Sequence, residues 1–257
     1  MAPLFGATGT MNPLSEVRIV LIQTTHPGNI GAAARAMKNM GLEDLVLVAP
    51  RDFPSAEATA RASGADDLLK RASVVDRLED ALSDRELIVG ASARRRSIPW
   101  PELEPREAAG RILETGFKTA ILFGREQTGL TNEELECCHY LLHIPSNPEY
   151  SSLNVAQALQ VVAYELFLQS RQPHSEAVIH ASEERPACAN DMASYHDHLE
   201  RVLRTVGFLH PTKHEESIQR RLRRIYNRAA PSVEELHLLR GILTRIERKV
   251  SSQDPKP

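Results

Sequence analysis

Three short segments of the sequence combine glycine or proline with side chains that can each make several hydrogen bonds. The first loop is residues 24–31 and runs on toward Arg35. The second loop is residues 123–130, and the third is residues 144–154. Such loops hold their backbone in tight turns, while Asn, Glu, Arg and Ser side chains can bind a polar ligand. One segment of this kind would indicate only a turn, but three at one edge of a sheet predict a binding site.

The elements that must position these loops alternate along the first two-thirds of the chain. Short and almost wholly apolar runs predict strands covered on both faces, at 18–22, 45–49, 87–91, 119–123 and 141–145, with a weaker one at 73–75. Between them lie helical patterns, including residues 30–40 and a helix opened by a capping box at Thr131 and Glu134. This alternation predicts an α/β fold with a mostly parallel sheet flanked by helices, whose ligands bind at the carboxyl ends of the strands.

The character of the chain changes after a long helix predicted at 153–171. Residues 172–190 contain two prolines, many polar residues and no periodic pattern, which is typical of a linker. Beyond it, apolar periodicity predicts three helices, at 195–206, 216–227 and 232–249. We therefore predict a flexible lead-in at 1–16, an α/β domain at 17–171, a linker at 172–190, a small all-helical domain at 191–250 and a tail at 251–257.

Composition limits the class of protein. With 257 residues, 42% of them hydrophobic and 25% charged, the chain can bury a sizeable core, and its apolar runs are too short to cross a bilayer. The first sixteen residues lack the pattern of a signal peptide, and two of the three cysteines are adjacent, so we expect reduced thiols in a cytoplasmic protein. The net charge of −3 leaves nucleic-acid binding open, because local clusters of charge decide it.

Two common nucleotide-binding motifs fit the loops poorly. Where a dinucleotide-binding fold needs Gly-x-Gly-x-x-Gly, the first loop has only Gly28 and Gly31, and no acidic residue follows at the ribose-binding position. Gly124 and Gly129 have the spacing of a P-loop, but Leu130 stands where the phosphate-binding lysine belongs. A dehydrogenase and a nucleoside triphosphatase are therefore both disfavoured.

Taken together, the three loops resemble the three motifs of the SPOUT superfamily of RNA methyltransferases, in its TrmH-like branch of ribose 2′-O-methyltransferases. Asn29 with Arg35 resembles the first motif, residues 123–130 the second and residues 151–156 the third. The phrases at 129–135 and 147–154 are similar to those of bacterial enzymes of this branch that act on tRNA, and the similarity includes residues 240–243 near the other end. Each motif alone is weak, but three in order with a matching C-terminal region are specific.

The resemblance implies a trefoil knot at the C-terminal end of the α/β domain, a homodimer with its sites near the interface, and S-adenosylmethionine as cofactor. The implied reaction is methylation of the ribose 2′-hydroxyl of tRNA nucleotide 32, a cytidine or uridine in the anticodon loop. By the same resemblance, small and apolar residues form the cofactor pocket: Ala91, Ser92, Ala93, Gly124, Ile144, Ser151, Ser152, Leu153, Asn154, Val155 and Ala156.

The resemblance places Arg35 and Asn29 at the reacting centre. Arginine is a poor base, because its pKa lies above about 12. We therefore interpret Arg35 as a cation that binds the substrate phosphate and stabilises the developing alkoxide, with a solvated helix arginine as the alternative. Glu126 is predicted to orient Asn29 or Arg35, with pairing to the neighbouring Arg125 as a competing explanation.

Several other polar residues have ordinary explanations that compete with function. Ser152 and Asn154 could bind the cofactor or cap the following helix, or do both. His26 is predicted to make hydrogen bonds within its loop rather than to act in catalysis. No histidines and cysteines have metal-ligand spacing, and the implied reaction needs no metal, so we predict no metal site.

Two arginine clusters are candidates for RNA binding. The first would flank an apolar stripe on a helix and consists of Arg220, Arg221, Arg223, Arg224 and Arg228. The second follows the strand at 87–91 and consists of Arg94, Arg95 and Arg96. We expect both to contact tRNA phosphates, against the alternative of a solvated helix face. Two further alternatives stay open: the same chemistry at another tRNA or rRNA site, and a knotted RNA-binding protein without catalysis.

Overall fold

The computed structural model describes residues 12–93, 100–172, 185–210 and 215–252. Within these residues seven strands form a single sheet in which every pairing is parallel. The strands are β1 (Val17–Ile22), β2 (Asp44–Val48), β3 (Ser73–Val75), β4 (Leu87–Ala91), β5 (Glu102–Leu103), β6 (Thr119–Phe123) and β7 (Tyr140–Leu142). The predicted α/β class with a mostly parallel sheet is confirmed.

Helices cover both faces of this sheet and form the C-terminal region. Their bounds are α1 (Pro27–Asn39), α2 (Ala56–Ala62), α3 (Asp66–Arg71), α4 (Leu78–Leu82), α5 (Pro105–Thr115), α6 (Asn132–Glu136), α7 (Val155–Ser170), α8 (Ala189–Thr205), α9 (Glu215–Ala229) and α10 (Val233–Ser251). None of the helices in the described part of the chain is long and apolar enough to span a membrane.

The strands are continuously apolar because both sheet faces are buried. In β1, Ile19 and Leu21 pack into one core with α1, α5 and α7, whereas Val20 and Ile22 pack into a second core on the opposite face. Successive side chains of a strand point to opposite faces, so a strand between two cores buries side chains on both of its faces and needs apolar residues on both. The order of the strands is β3-β2-β1-β6-β4-β7-β5, which sets the central β1 and β6 side by side.

Several bounds differ from those the sequence predicts, and capping explains two of them. Helix α1 begins at Pro27, three residues early, because His26 caps it and proline suits the first helical position. Helix α8 begins at Ala189, inside the predicted linker, because Cys188 and Asp191 form a capping box. Residues 13–16 of the predicted lead-in form a short 3-10 helix, since Leu14 is buried in the first core.

The C-terminal helices form a third core of their own. Tyr195 and Val202 of α8 pack there against Leu236 and Leu243 of α10. Most of the predicted linker, residues 173–184, lies outside the described residues. The trefoil knot implied by the family resemblance stays a prediction.

Candidate active site

The three loops follow strands β1, β6 and β7 at the carboxyl edge of the sheet. Strands β1 and β6 are neighbours, and only β4 separates β6 from β7. Because all pairings are parallel, the chain leaves each of these strands on the same side of the molecule. The strand order therefore brings together three segments that lie far apart in the sequence.

A chain of hydrogen bonds joins one residue from each loop. Asn154 donates from Nδ2 to Oδ1 of Asn29 at 2.9 Å, and Asn29 donates from Nδ2 to Oε1 of Glu126 at 3.0 Å. The two contacts span 125 and 97 positions of the sequence, so they depend entirely on the fold. They link the third loop to the first and the first to the second.

The direction of this chain is determined by its two ends. The ionised carboxylate of Glu126 can only accept, so the amide of Asn29 must turn its N–H₂ toward it and its oxygen toward Asn154. At the other end, Oδ1 of Asn154 accepts the backbone N–H of Ala156 at 2.9 Å and caps α7, which leaves Nδ2 to donate. Asn154 thus caps a helix, as one of its two sequence interpretations predicts, and also holds Asn29 at the edge of the site.

Glu126 also binds the backbone of the first loop. Its carboxylate accepts the backbone N–H groups of Thr25 and His26 at 3.1 to 3.2 Å and the hydroxyl of Thr25 at 3.0 Å. Partial burial acts to raise the pKa of this carboxyl, but the hydrogen bonds from Asn29, His26 and Thr25 outweigh it and lower the pKa below its ordinary value. Glu126 is therefore an anion that organises the first loop. It is not paired with Arg125, which was the competing explanation for its position.

Arg125 instead folds back toward α6. Its guanidinium donates from Nη1 and Nη2 to the two oxygens of Glu134, both at 3.0 Å, and from Nε to the side-chain oxygen of Gln23 at 2.8 Å. Glu134 closes the predicted capping box with Thr131, whose backbone N–H it accepts at 2.7 Å. The sequence predicts only that Glu134 caps α6 with Thr131, and gives no sign that its carboxylate also binds Arg125.

Glycine is required where the second loop closes on itself. A Cβ atom at Gly124 would lie 2.2 Å from the carbonyl carbon of Gly129, which is far inside any real contact. Gly129 adopts a positive φ of 68°, which favours glycine. The backbones of Arg125 and Gly129 exchange two hydrogen bonds, so the loop is a tight hairpin.

A cavity of about 640 Å³, including its open mouth, lies between these loops. Its lining contains nine of the eleven predicted cofactor residues, namely Ala91, Ser92, Ala93, Gly124, Ile144, Ser151, Ser152, Leu153 and Val155. The other two, Asn154 and Ala156, lie in the capping turn of α7 beside it. The sequence prediction gave Glu126 another role and missed five lining residues: Phe123 and Leu142, the last residues of β6 and β7, and Arg125, Gly129 and Ala158.

Two family models match the chain, the SpoU rRNA Methylase family over residues 16–164 and the C-terminal domain of tRNA methyltransferase TrmJ over residues 190–255. The tRNA (cytidine/uridine/adenosine-2′-O-)-methyltransferase TrmJ of Pseudomonas aeruginosa is 49% identical, over 91% of this chain and 95% of that protein. The chain belongs to the TrmJ family of SpoU methylases. The tRNA (cytidine/uridine-2′-O-)-methyltransferase TrmJ of Sodalis glossinidius is 46% identical, over 95% of this chain and 96% of that protein.

Solved structures of the family have the same fold. The crystal structure of TrmJ from Z. mobilis superimposes with a TM-score of 0.80 at 35% identity, covering 90% of this chain and 98% of that one. A probable methylase family protein from Haemophilus influenzae superimposes with a TM-score of 0.61 at 41% identity, covering 94% and 100%. The predicted resemblance to this family is confirmed.

In this TrmJ-family chain, Arg35 lies on the exposed face of α1. Among the described residues it makes no hydrogen bond or ion pair, unlike Asn29 earlier in the same helix. The structure therefore brings Asn29, Glu126 and Asn154 into contact but does not join the exposed Arg35 to them. A guanidinium that no carboxylate binds is available to an anionic substrate.

The arginines of α9 have different surroundings. Arg220 is bound to two carboxylates of α6, those of Glu133 at 3.1 Å and Glu136 at 3.0 Å. Arg224 lies over the ring of Trp100 with 5.9 Å to its centroid. Arg223 is partly buried, Arg221 and Arg228 are exposed, and Arg94, Arg95 and Arg96 lie outside the described residues.

The first-loop histidine makes the kind of local hydrogen bond that the sequence predicts. Nδ1 of His26 accepts the backbone N–H of Gly28 at 3.2 Å and caps α1. Among the described residues, no group of three histidine, cysteine, aspartate or glutamate side chains could hold a metal ion.

Proposed function

We propose that this TrmJ-family chain transfers the methyl group of S-adenosylmethionine to the ribose 2′-hydroxyl of nucleotide 32, a cytidine or uridine in the anticodon loop of tRNA. The observation that carries the proposal is the hydrogen-bonded chain Asn154–Asn29–Glu126 at the cavity between the three loops. The names of the relatives from Pseudomonas aeruginosa and Sodalis glossinidius, which describe tRNA 2′-O-methyltransferases, point to the same reaction.

The lining of the cavity has the chemistry that the cofactor needs. Ala91, Ala93 and Gly124 allow a ligand to approach the backbone closely, while Ile144 and Leu153 offer an apolar slot for an adenine. S-adenosylmethionine, when bound, supplies a methyl carbon that its sulfonium sulfur makes electrophilic.

The role of the protein is to position and activate the ribose hydroxyl. An aligned nucleophile gains much of its rate from orientation alone, and a neighbouring cation stabilises the alkoxide that forms as the proton leaves. Arg35 supplies that cation and binds an adjacent phosphate. Asn29 uses one N–H and one lone pair within the site, so one of each remains to hold the ribose.

We place tRNA across the C-terminal helices and the region around residues 94–96. Arg221 and Arg228 are exposed on α9, where they can bind phosphates. Arg223 and Arg224 add positive charge to the same helix. Arg220 contributes through its attachment to α6 and thereby holds α9 against the α/β domain. Phosphate contacts of this kind supply affinity that depends on salt but not on sequence.

The functional unit we propose is a homodimer in the cytoplasm. Helix α7 begins at the active site, and its Val161 and Tyr164 are 38% and 47% exposed, which suits a partner subunit packed close to the cofactor. Cys137, Cys138 and Cys188 are all free thiols, as expected of a reducing compartment.

The direct test is transfer of a labelled methyl group from S-adenosylmethionine to bulk tRNA, followed by mapping of the modified nucleoside. We expect a 2′-O-methylated nucleotide at position 32 and no labelling of a matched tRNA that carries 2′-deoxyribose there. Labelling at another position would retain the chemistry but correct the site. Binding of tRNA without any transfer, together with no calorimetric signal for the cofactor, would favour a knotted RNA-binding protein.

A further inference from the structure

The second loop is held by a partly buried ion pair, Arg125 with Glu134, to which the proposed reaction assigns no role. Arg125 and Glu134 are only 21% and 12% exposed in their side chains and make two parallel hydrogen bonds. A bidentate pair of this kind has a defined direction as well as strength, because the planar guanidinium must lie in line with the carboxylate. It is therefore suited to fix the orientation of a backbone segment.

Glu134 binds the chain on both sides of the turn at residues 126–129. One of its oxygens accepts from Nη2 of Arg125, and the other accepts both from Nη1 of Arg125 and from the backbone N–H of Thr131. Between these two attachment points lies the tight hairpin that contains Glu126. A single carboxylate thus determines how the hairpin is set on the N-terminus of α6.

The same arginine ties the hairpin to the end of β1. Nε of Arg125 donates to Oε1 of Gln23, a residue that adopts a positive φ of 48° where the chain turns from β1 into the first loop. Glu126 binds that loop two residues later, at Thr25. Arg125 and Glu126 are adjacent in the chain, and their contacts at the end of β1 are only two residues apart, so an Arg125 that is held in place restricts where the carboxylate of Glu126 can lie.

We propose that Arg125 and Glu134 are positioning residues for methyl transfer, which act by aiming the carboxylate of Glu126 at Asn29 and at the backbone of the first loop. The proposal rests on the proposed function for its effect on the reaction, but its geometric part concerns the first loop alone. Arg125 also lines the cavity, but its guanidinium is bound to Glu134 and Gln23, so we assign it a positioning role and not a part in the chemistry.

A double-mutant cycle separates positioning from general support of the fold. The variants are Arg125→Lys, Glu126→Gln and the two combined, because lysine keeps the charge but cannot span both Glu134 and Gln23. We expect Arg125→Lys to lower kcat about 10- to 100-fold, the scale of a misplacement by roughly 1 Å, with a much smaller change in the KM for S-adenosylmethionine. In the Glu126→Gln background the same change should cost less than about threefold, because the group it positions is gone. Losses that multiply in the double variant would overturn the proposal.

Hydrogen exchange provides a readout that does not need activity. The backbone N–H groups of Thr25 and His26 are bound by Glu126, so we expect both to exchange faster in Arg125→Lys and in Glu134→Gln. The matched control is Arg71→Lys, which alters an exposed arginine paired with Glu43 and Asp67. Unchanged exchange at Thr25 and His26 in folded Arg125→Lys protein would refute the positioning role. Faster exchange in the variants, together with a parent protein that transfers no methyl group, would refute only the proposed function.

Discussion

The side chain of Asn154 donates to the side chain of Asn29 at 2.9 Å across 125 positions of the chain. The same Asn154 caps α7 through the backbone N–H of Ala156. One residue therefore sets the start of the helix that follows the cavity and, at the same time, orients the polar group of the first loop. Because Asn29 passes the contact on to Glu126, a change at any of the three should affect the other two.

Replacing Asn154 by serine should separate these two roles. Serine is a good N-cap, so the free energy of unfolding should change by less than about 1 kcal/mol, but its hydroxyl is too short to reach Asn29. We expect kcat/KM to fall about five- to tenfold, the value of one hydrogen bond of about 1 kcal/mol in the site. Asn154→Ala should show a similar fall in kcat/KM, and its free energy of unfolding should also fall by about 1 kcal/mol. Chemical denaturation and steady-state kinetics check both, and full activity in Asn154→Ser would show that the bridge to Asn29 does not matter.

Replacing Arg35 by alanine tests the proposed electrostatic role. Loss of a donor that stabilises a developing oxyanion typically lowers kcat by about 10²–10³-fold, and we expect that range here, with little change in stability because Arg35 is exposed. Lys38→Ala, nearly one turn later on α1, is the matched control, since Lys38 is bound to Asp67 and Gly64 rather than left for substrate. Parental turnover by Arg35→Ala would disprove the assigned role.

The pKa of Glu126 predicts how the first loop responds to acid. Its pKa is lowered in the folded protein, so the hydrogen bonds to the carboxylate stabilise the fold above the ordinary pKa of a glutamate and are lost as the pH falls through the lower, folded pKa. The parent should therefore lose stability on acidification below about pH 4.3 more steeply than Glu126→Gln, which has no proton to bind there. Thermal unfolding from about pH 7 to about pH 3 measures the difference. Parallel curves for the two proteins would contradict it.

The arginines of α9 should fall into two groups. Arg221→Ala and Arg228→Ala should weaken tRNA binding, and removal of each phosphate ligand should reduce the slope of log K against log salt by about 0.7–0.9. Filter binding at several salt concentrations measures this, with Arg201→Ala on α8, an arginine paired with Glu247, as the control. Equal affinity and equal slope in an Arg221/Arg228 double variant would remove α9 from the tRNA interface.

Arg220→Ala should behave differently from its neighbours, because its partner Glu136 is buried and already has a pKa raised by that burial. Without Arg220 the carboxylate stays in place with little compensation, so we expect a loss of about 1–3 kcal/mol in stability. The melting temperature should fall accordingly, whereas it should not move in Arg221→Ala. A stable Arg220→Ala protein with weak tRNA binding would instead place Arg220 among the phosphate ligands.

The elements of the fold and the composition of the loops follow from the amino-acid order alone. Strands such as 119–123 are recognisable because a parallel sheet buries both faces and leaves a continuous apolar run. The capping box at Thr131 and Glu134 is equally local, since its two contacts lie within one helical turn. Short elements, among them the two-residue strand β5, leave no such mark, because so few residues carry no periodic pattern.

Which of these groups meet depends on the folded arrangement of the whole chain. Alternating strands and helices do not specify the order of the strands, and it is this order that sets the loops after β1, β6 and β7 side by side. The partners of Glu126 lie about 100 positions away in the chain, and Glu134, a helix cap by its sequence, also holds Arg125. The directed contacts of the site thus depend on long-range geometry, because a hydrogen bond forms only when the fold brings donor and acceptor within about 3 Å.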